Sequence, residues 1–298
     1  MFQRLPLRRW TAIVLCAPLF ALALASSAIA HPALWVAKNE HATVYLFGTV
    51  HLLPSETDWS SPQLDKALEQ SQRLSIELVD DDAATMQPLV LKLGLDTAHP
   101  LSSKLDPADQ EKLKQAVTTA QLPGGVNSLQ PMRPWLAALT LAIAPLVQAG
   151  MSPDLGVDKL LKQRMQEAGK PVDGLETAAQ QIHMLASLSE PMQLDLLRQT
   201  FTDVADGPDK LRELIAAWKN GNVAMIARLA DNDLRQESPA LYQRLIVDRN
   251  KAWAKTIAQR MQQPGISFIA VGAGHLAGPD SVQVQLQAHG ITVEPVRH

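Results

Sequence analysis

The spacing of apolar positions changes twice along this chain. Near residue 34 and again near residue 265 they come in short β-branched runs, and between these regions they recur at helical intervals. "ALWVAK" (Ala33–Lys38) and "TVYLFGTV" (Thr43–Val50), separated by "NEHA", predict a β-hairpin. "SPQLDKALEQSQ" predicts a helix with Ser61 as N-cap and Pro62 in its first turn, and "RLSIELV" (Arg73–Val79) predicts a third strand. Helical patterns then dominate residues 83–263, with further starts at Asp106-Pro107, Ser152-Pro153, Gly207-Pro208 and Ser238-Pro239 and one extended interruption, "KPVDGLE". The chain closes with the strand "ISFIAVG", a helix from about Asp280 to His289 and the strand "ITVEPV". A hairpin demands an antiparallel pair. The expected class is therefore α/β, with a central mixed β-sheet built from both ends of the mature chain and a large helical insertion between.

Residues 1–30 stand apart from this pattern. Arg4, Arg8 and Arg9 precede the apolar stretch "TAIVLCAPLFALALA", and Ala28-Ile29-Ala30 fits a small-residue cleavage site, so a signal peptide cut after Ala30 and a periplasmic or secreted protein are expected. The folded part is then residues 31–298, enough chain for one large domain or two small ones and without a sequence repeat. The one cysteine of the sequence is Cys16, inside this leader; its loss excludes disulfides, thiol nucleophiles and Cys-ligated zinc from the remainder. The formal charge of −3 becomes more negative once the leader arginines are removed, which leaves nucleic acid without an electrostatic footprint. "PWLAALTLAIAPLVQAG" contains Thr140, Pro145 and Gln148 and falls short of the ~20 residues of a membrane span, so a buried central helix is expected there and no membrane span after cleavage. Nothing in the sequence indicates an oligomeric state.

The apolar strands "TVYLFGTVH" and "ISFIAVGAGH" both end in Gly-x-x-His, at Gly48–His51 and Gly272–His275. In an open α/β sheet the carboxyl edge of the strands is where ligands bind. Gly48 and Gly272 are expected to turn the chain with positive φ, lifting His51 and His275 onto one rim if the strands run parallel, and Gly274 suggests a close approach to the backbone. Each histidine alone also reads as a rim residue bonded to a nearby carbonyl. Glu77 sits among large aliphatics in "LSIELV". It is either on the solvated face of an edge strand or a carboxylate in a strand covered on both faces, where it needs a partner or a metal. Two histidines and a carboxylate from three strand ends make a reasonable open metal site, and the spacing is not that of a helical H-E-x-x-H motif. With nitrogen and oxygen ligands zinc, manganese, cobalt and iron all remain open.

A second group lies in "LYQRLIVDRNKAWAKTI". Helical spacing puts Leu245, Ile246, Trp253 and Ile257 in one apolar sector with Arg249 and Asn250 inside it, while Asp248 and Lys251 point away. An inward Arg249 needs a partner such as Glu77 or a substrate carbonyl; an arginine snorkelling from the edge of the face is the alternative. Glu176 reads as support for the start of the next helix.

The segments "LWVAKNEHATVYLFGTVHLLP", "SIELVD", "GKPVDGLETAAQQ", "LYQRLIVDRNKAWAKTIA" and "FIAVGAGHLAGPDSVQVQLQAHGITVEPV" together resemble the TraB/GumN family, to which the Tiki metalloproteases are related. The resemblance implies a fold akin to the erythromycin-esterase and ChaN-like proteins and a divalent-metal-dependent protease supported by manganese or cobalt. Carried onto this chain, the metal-site histidines become His51 and His275, the acid Glu77 and the basic helper Arg249. The expected function is an exported metal-dependent hydrolase, most simply a peptidase, with a divalent ion (manganese, cobalt or zinc) held by His51, Glu77 and His275. Glu77 is either third ligand or general base, Arg249 is a holder of the substrate carbonyl or oxyanion, and Asn250, Gly48, Gly272 and Gly274 lie at the substrate. The rival expectation is a protein that sequesters a peptide or small molecule in the same cleft without cleaving it. Iron or haem binding, as in ChaN-like relatives, is a third.

Overall fold

The computed structural model describes residues 31–55 and 57–296. The leader expected over residues 1–30, with its cleavage site and Cys16, lies outside the described residues, as does His298. Six strands form one mixed sheet: β1 (Leu34–Lys38), β2 (Ala42–Thr49), β3 (Arg73–Leu78), β4 (Val172–Glu176), β5 (Gly265–Gly272) and β6 (Val293–Pro295). Their order is β4-β3-β5-β2-β1-β6. β4, β3, β5 and β2 run parallel, and β1 is antiparallel to both β2 and β6. The class is therefore α/β, with the sheet drawn from both ends of the described chain. The mainly helical stretch between β3 and β5 adds only β4 to it.

Local chemistry explains the elements. In the β1–β2 turn the side-chain oxygen of Asn39 accepts from the amides of His41 and Ala42, an Asx turn that closes the hairpin. The Ser61 hydroxyl accepts from the Leu64 amide and caps the helix Pro62–Gln70, and Asp106 does the same for the helix Pro107–Thr119. Gly207-Pro208 opens the helix Gly207–Lys219. The other two proline starts open less than expected. Ser152-Pro153 begins a single 3₁₀ turn, Pro153–Leu155, and Ser238-Pro239 a four-residue helix, Pro239–Tyr242, that runs into a π-helical turn at Gln243–Val247.

The parallel strands are covered on both faces. Leu46 and Phe47 are neighbours pointing to opposite sides, and both are fully buried. On one side Phe47, Leu74, Ile76 and Phe268 pack with Trp59 and Trp218; on the other Val44, Leu46, Ile269 and Val271 pack with Trp253, Ala254 and Ile257. A third cluster, around Leu113, Leu141 and Leu197, belongs to the helical stretch itself. There the apolar helix Pro134–Gln148 departs from expectation. It buries Trp135, Ala138 and Leu141, but Ile143 and Val147 are 45% and 49% exposed, because only one of its faces lies against the helix Glu190–Asp203. Among the described residues no helix is long and apolar enough to cross a membrane.

The two motif glycines also differ from expectation. Neither Gly48 nor Gly272 has positive φ, and Gly272 sits at φ −47°, ψ 136°. Their role is space. A β-carbon on Gly48 would lie 3.0 Å from the Ala273 Cα, so the end of β2 and the turn after β5 touch backbone to backbone. The same residue's carbonyl accepts from the Trp218 indole at 2.7 Å, which docks the helix Gly207–Lys219 on the strand end. Gly48→Ala is expected to destabilise the protein by about 1–3 kcal/mol through this overlap. Urea denaturation measures it, and a variant as stable as the parent would show that the close approach is dispensable.

Candidate active site at the carboxyl edge of the parallel strands

Register puts the two motifs side by side: Gly48 pairs with Val271 and Thr49 with Gly272, so β2 and β5 end together and release His51 and His275 at one rim. β3 flanks β5 on the other side. Because it lies between β4 and β5, Glu77 is only 9% exposed, an inner-strand carboxylate and not an edge one. His51 Nε2 and His275 Nε2 each stand 3.9 Å from the same oxygen, Glu77 Oε1. That oxygen also accepts from the Gly272 amide at 2.6 Å. Gly272 leaves this space open, since a β-carbon would come within 3.1 Å of Glu77 Oε1 and 3.4 Å of His51 Nε2 and would press on both side chains.

Each imidazole is held from behind through its other nitrogen. His51 Nδ1 lies 3.0 Å from Asp158 Oδ1, and His275 Nδ1 2.7 Å from Asn250 Oδ1. The Asn250 amide nitrogen in turn donates to the Asp280 carbonyl at 2.8 Å, which orients the amide so that its oxygen receives the His275 Nδ1 proton. Burial, with the charges of Arg249 and His51, outweighs the pull of Glu77 and lowers the His275 pKa to about 4, so the ring is neutral with its lone pair on Nε2. His51 is the opposite case. Its side chain is half exposed at the rim, but the neighbouring protein still works against its charge; the Asp158 hydrogen bond and the Glu77 and Asp158 charges prevail and raise it to about 9.

Arg249 ties the cluster together. Its Nε and Nη2 meet the two oxygens of Glu176 at 2.9 Å each, Nη2 also donates to Glu77 Oε2 at 2.7 Å, and Nη1 stands 3.1 Å from His275 Nε2. The guanidinium lies over Trp253, 4.6 Å from the ring centroid, and the His275 ring contacts the same indole at 4.5 Å. Burial opposes ionisation of Glu77, but the neighbouring His275, Arg249 and His51, in that order, and the Gly272 amide overcome it and hold the carboxyl at about 2.

A cleft of about 310 Å³ opens on His51, Glu77, Arg249, Gly272, Gly274 and His275, walled by Leu146, Leu211, Leu214 and Ile246. Two of the residues expected at a substrate lie elsewhere. Asn250 is fully buried behind His275, and Gly48 is sealed under Trp218 and Ala273. Glu176 does not cap the following helix; Thr177 does that in a reciprocal capping box with Gln180, and the glutamate is turned to Arg249. Asp158 carries no signal in the sequence; it lies in a helix docked near His51, where the Val157 amide donates to the Val50 carbonyl. Asp231, a buried acid on the cleft wall, is equally silent, because its position before a short helix reads as an ordinary cap. A wider hollow of about 860 Å³ between Gln199 and Glu237 has no histidine in its lining.

As the residues stand, no group of three or more His, Cys, Asp or Glu among those described is drawn close enough to grip an ion. The donor chemistry fits one nonetheless. Two imidazole nitrogens face one carboxylate oxygen, each ring is supported through Nδ1 in the manner of metal-bound histidines, and the 3.9 Å separations exceed the ~3.4 Å of a tetrahedral pair by about half an ångström. His51, half exposed at its side chain, has room to close that gap.

An α/β protein with a His–Glu–His group and a clamped arginine at the carboxyl edge of its parallel strands is the class this architecture defines. The chain belongs to the TraB/PrgY/gumN family, which it matches over residues 33–295. It is similar to the "Uncharacterized protein YbaP" of Escherichia coli and of Shigella flexneri, 27% identical over 252 residues in each case, covering 84% of this chain and 89% of the relative. A Treponema pallidum protein, also described as an "Uncharacterized protein", is 22% identical over 265 residues, covering 83% of this chain and 78% of that one. No solved structure matches the chain.

Glu176→Gln is expected to cost about 3 kcal/mol, since it leaves a largely buried guanidinium with one carboxylate instead of two. Chemical denaturation reads it. A loss below ~0.5 kcal/mol would mean that the clamp behaves as a solvent-screened surface pair.

Proposed function

We propose that this cleft is the active site of an exported, divalent-metal-dependent hydrolase that cleaves peptides. The observation that carries the reading is the aim of two back-supported imidazole nitrogens at one buried carboxylate oxygen. His51, Glu77 and His275 would hold manganese, cobalt or zinc, which when bound would polarise the scissile carbonyl and ease deprotonation of water. Glu77 suits an anionic ligand better than a general base: its pKa is held near 2 and both of its oxygens are engaged. Arg249 keeps Nε and Nη2 on carboxylates, so Nη1, whose contacts are the His275 ring and the Leu245 carbonyl at 3.5 Å, is the donor left for a substrate oxygen. The wall of Leu146, Leu211, Leu214 and Ile246 suits an apolar side chain of a peptide. The basic-then-apolar order of residues 1–30 supports the exported setting.

Elemental analysis of the folded mature protein, paired with a peptide-library digest in added manganese, cobalt or zinc, tests this. The expected result is about one bound ion per chain, lost in His51→Ala and His275→Ala, and peptide cleavage that Glu77→Ala lowers by at least ~100-fold. A protein that takes up no ion and whose melting is indifferent to metal in both parent and variants would sink the metal site. Peptides retained intact would instead identify a sequestering protein.

A further inference from the structure

Asp231 is the acid in this cleft that the arrangement above leaves unused. It is 7% exposed, it lines the cleft together with His51, Glu77, Arg249 and His275, and its Oδ2 has no hydrogen-bond partner. Gly274 is the residue that makes room for it, since a β-carbon there would lie 3.2 Å from Asp231 Oδ1 and 3.2 Å from the Ala230 Cβ. Two residues earlier along the same turn, Gly272 makes the matching allowance for Glu77 and His51. The glycines of the second motif thus admit two carboxylates to one floor, Glu77 beside Gly272 and Asp231 beside Gly274.

The carboxylate also forgoes an ordinary partner. Asp231 occupies the position just before the helix Asn232–Glu237, where an aspartate normally accepts from the first free amides, yet its side chain makes no capping bond. Tyr242, close enough to feel its charge, donates instead to Asp280 at 3.0 Å. Arg235 on its own helix is the charge that favours its ionisation, and Asp231 also borders a second hollow with Arg228, Arg235 and Tyr242, neither arginine being hydrogen-bonded to it. The charged and titratable groups across the cleft, His51, Glu77, Arg249 and His275, are already bonded among themselves or to Asp158, Glu176 and Asn250. A buried carboxyl oxygen without a partner is costly, and of the buried polar atoms left unpaired among the described residues this is the one that belongs to an acid lining the cleft.

We propose that Asp231 is the proton-transfer residue of this site, taking a proton from the attacking water and passing it to the leaving nitrogen of the scissile amide. The proposal rests on the hydrolase reading above. In the first half-step the water oxygen bonds to the carbonyl carbon while a water proton goes to Asp231. In the second the carbon–nitrogen bond breaks, its electron pair stays on nitrogen, and nitrogen takes the proton from Asp231, which returns ionised. Water and amide become acid and amine with no other reactant. Burial raises the Asp231 pKa to about 7 against the pull of Arg235, which suits a group that must both accept and release a proton near neutral pH.

The test uses the mature protein with manganese or cobalt and a peptide that the parent cleaves. Asp231→Asn is expected to keep the parental metal content while kcat/KM falls by about 100-fold or more. The parental rise of kcat/KM with pH through about 7 is expected to vanish in the variant, and formate is expected to restore part of the activity of Asp231→Ala. A separate readout needs no activity. The folded state keeps a proton on Asp231 between its ordinary value of 3.8 and about 7 that the unfolded chain has given up, so parental stability should fall as pH rises across that window, relative to Asp231→Asn. An Asn variant that cleaves as fast as the parent, that loses its metal along with activity, or that fails to fold overturns the role. So does an Ala variant indifferent to formate. A parent inert toward every peptide overturns the hydrolase reading and the role of Asp231 with it, and is told apart from failure of the role alone because that failure requires an active parent.

Discussion

The site depends on one buried cation. Arg249 enters from the helix Asp248–Arg260 and reaches Glu77 on β3, Glu176 on β4 and His275 after β5, so a single guanidinium joins three adjacent strand ends. Two inward carboxylates side by side would repel each other and remain poorly solvated; a planar five-donor group between them resolves both costs. The indole of Trp253, one turn further along the same helix, supports the faces of Arg249 and His275 and fixes the depth at which they sit. The same contact keeps Nη1 beside His275 Nε2, which places the arginine next to the lone pair a metal would use.

The sheet supplies a precise edge, and the helical stretch supplies what completes it. Parallel strands with matched register end at one level, so the histidines emerge together, and Glu77 on β3, across β5 from β2, stands 3.9 Å from both. Everything that turns this edge into a cleft comes from elsewhere. Asp158 stands behind His51, Trp218 seals the end of β2, and Leu146, Leu211, Leu214 and Asp231 form walls. A rigid strand edge with loop and helix walls is how α/β proteins separate positioning of chemistry from choice of ligand.

The two Gly-x-x-His motifs do related jobs by different means. In the first, the glycine is a spacer against Ala273 and its histidine is half exposed and paired with Asp158. In the second, the glycines are contact points for carboxylates and the histidine is buried, neutral and fixed by Asn250. One ring is buried and the other half exposed, so the two nitrogens that face Glu77 sit in different surroundings.

Much of this was legible in the chain. The hairpin, the strand around Glu77, the Ser61 and Asp106 caps and the Arg249–Trp253 face follow from local periodicity and turn chemistry, which short-range sterics and burial impose. Glu77 stood out because an acid among aliphatics demands a partner, and the paired motifs stood out because they repeat. Other features had no local signal. Asp158 and Asp231 look like ordinary helix-start acids, Glu176 looked like one too, and Ile143 and Val147 read as core until one face of their helix proved to be open. The reason is physical: amphipathic spacing and capping are properties of neighbours in the chain, whereas which acid meets which base depends on the packing of segments a hundred residues apart. Chain-local patterns were enough for the strands, the glycine–histidine ends and the oddity of Glu77; it took the packed fold to show that Arg249 joins Glu77 to Glu176, that Asn250 lies behind His275 and that Asp231 lines the cleft.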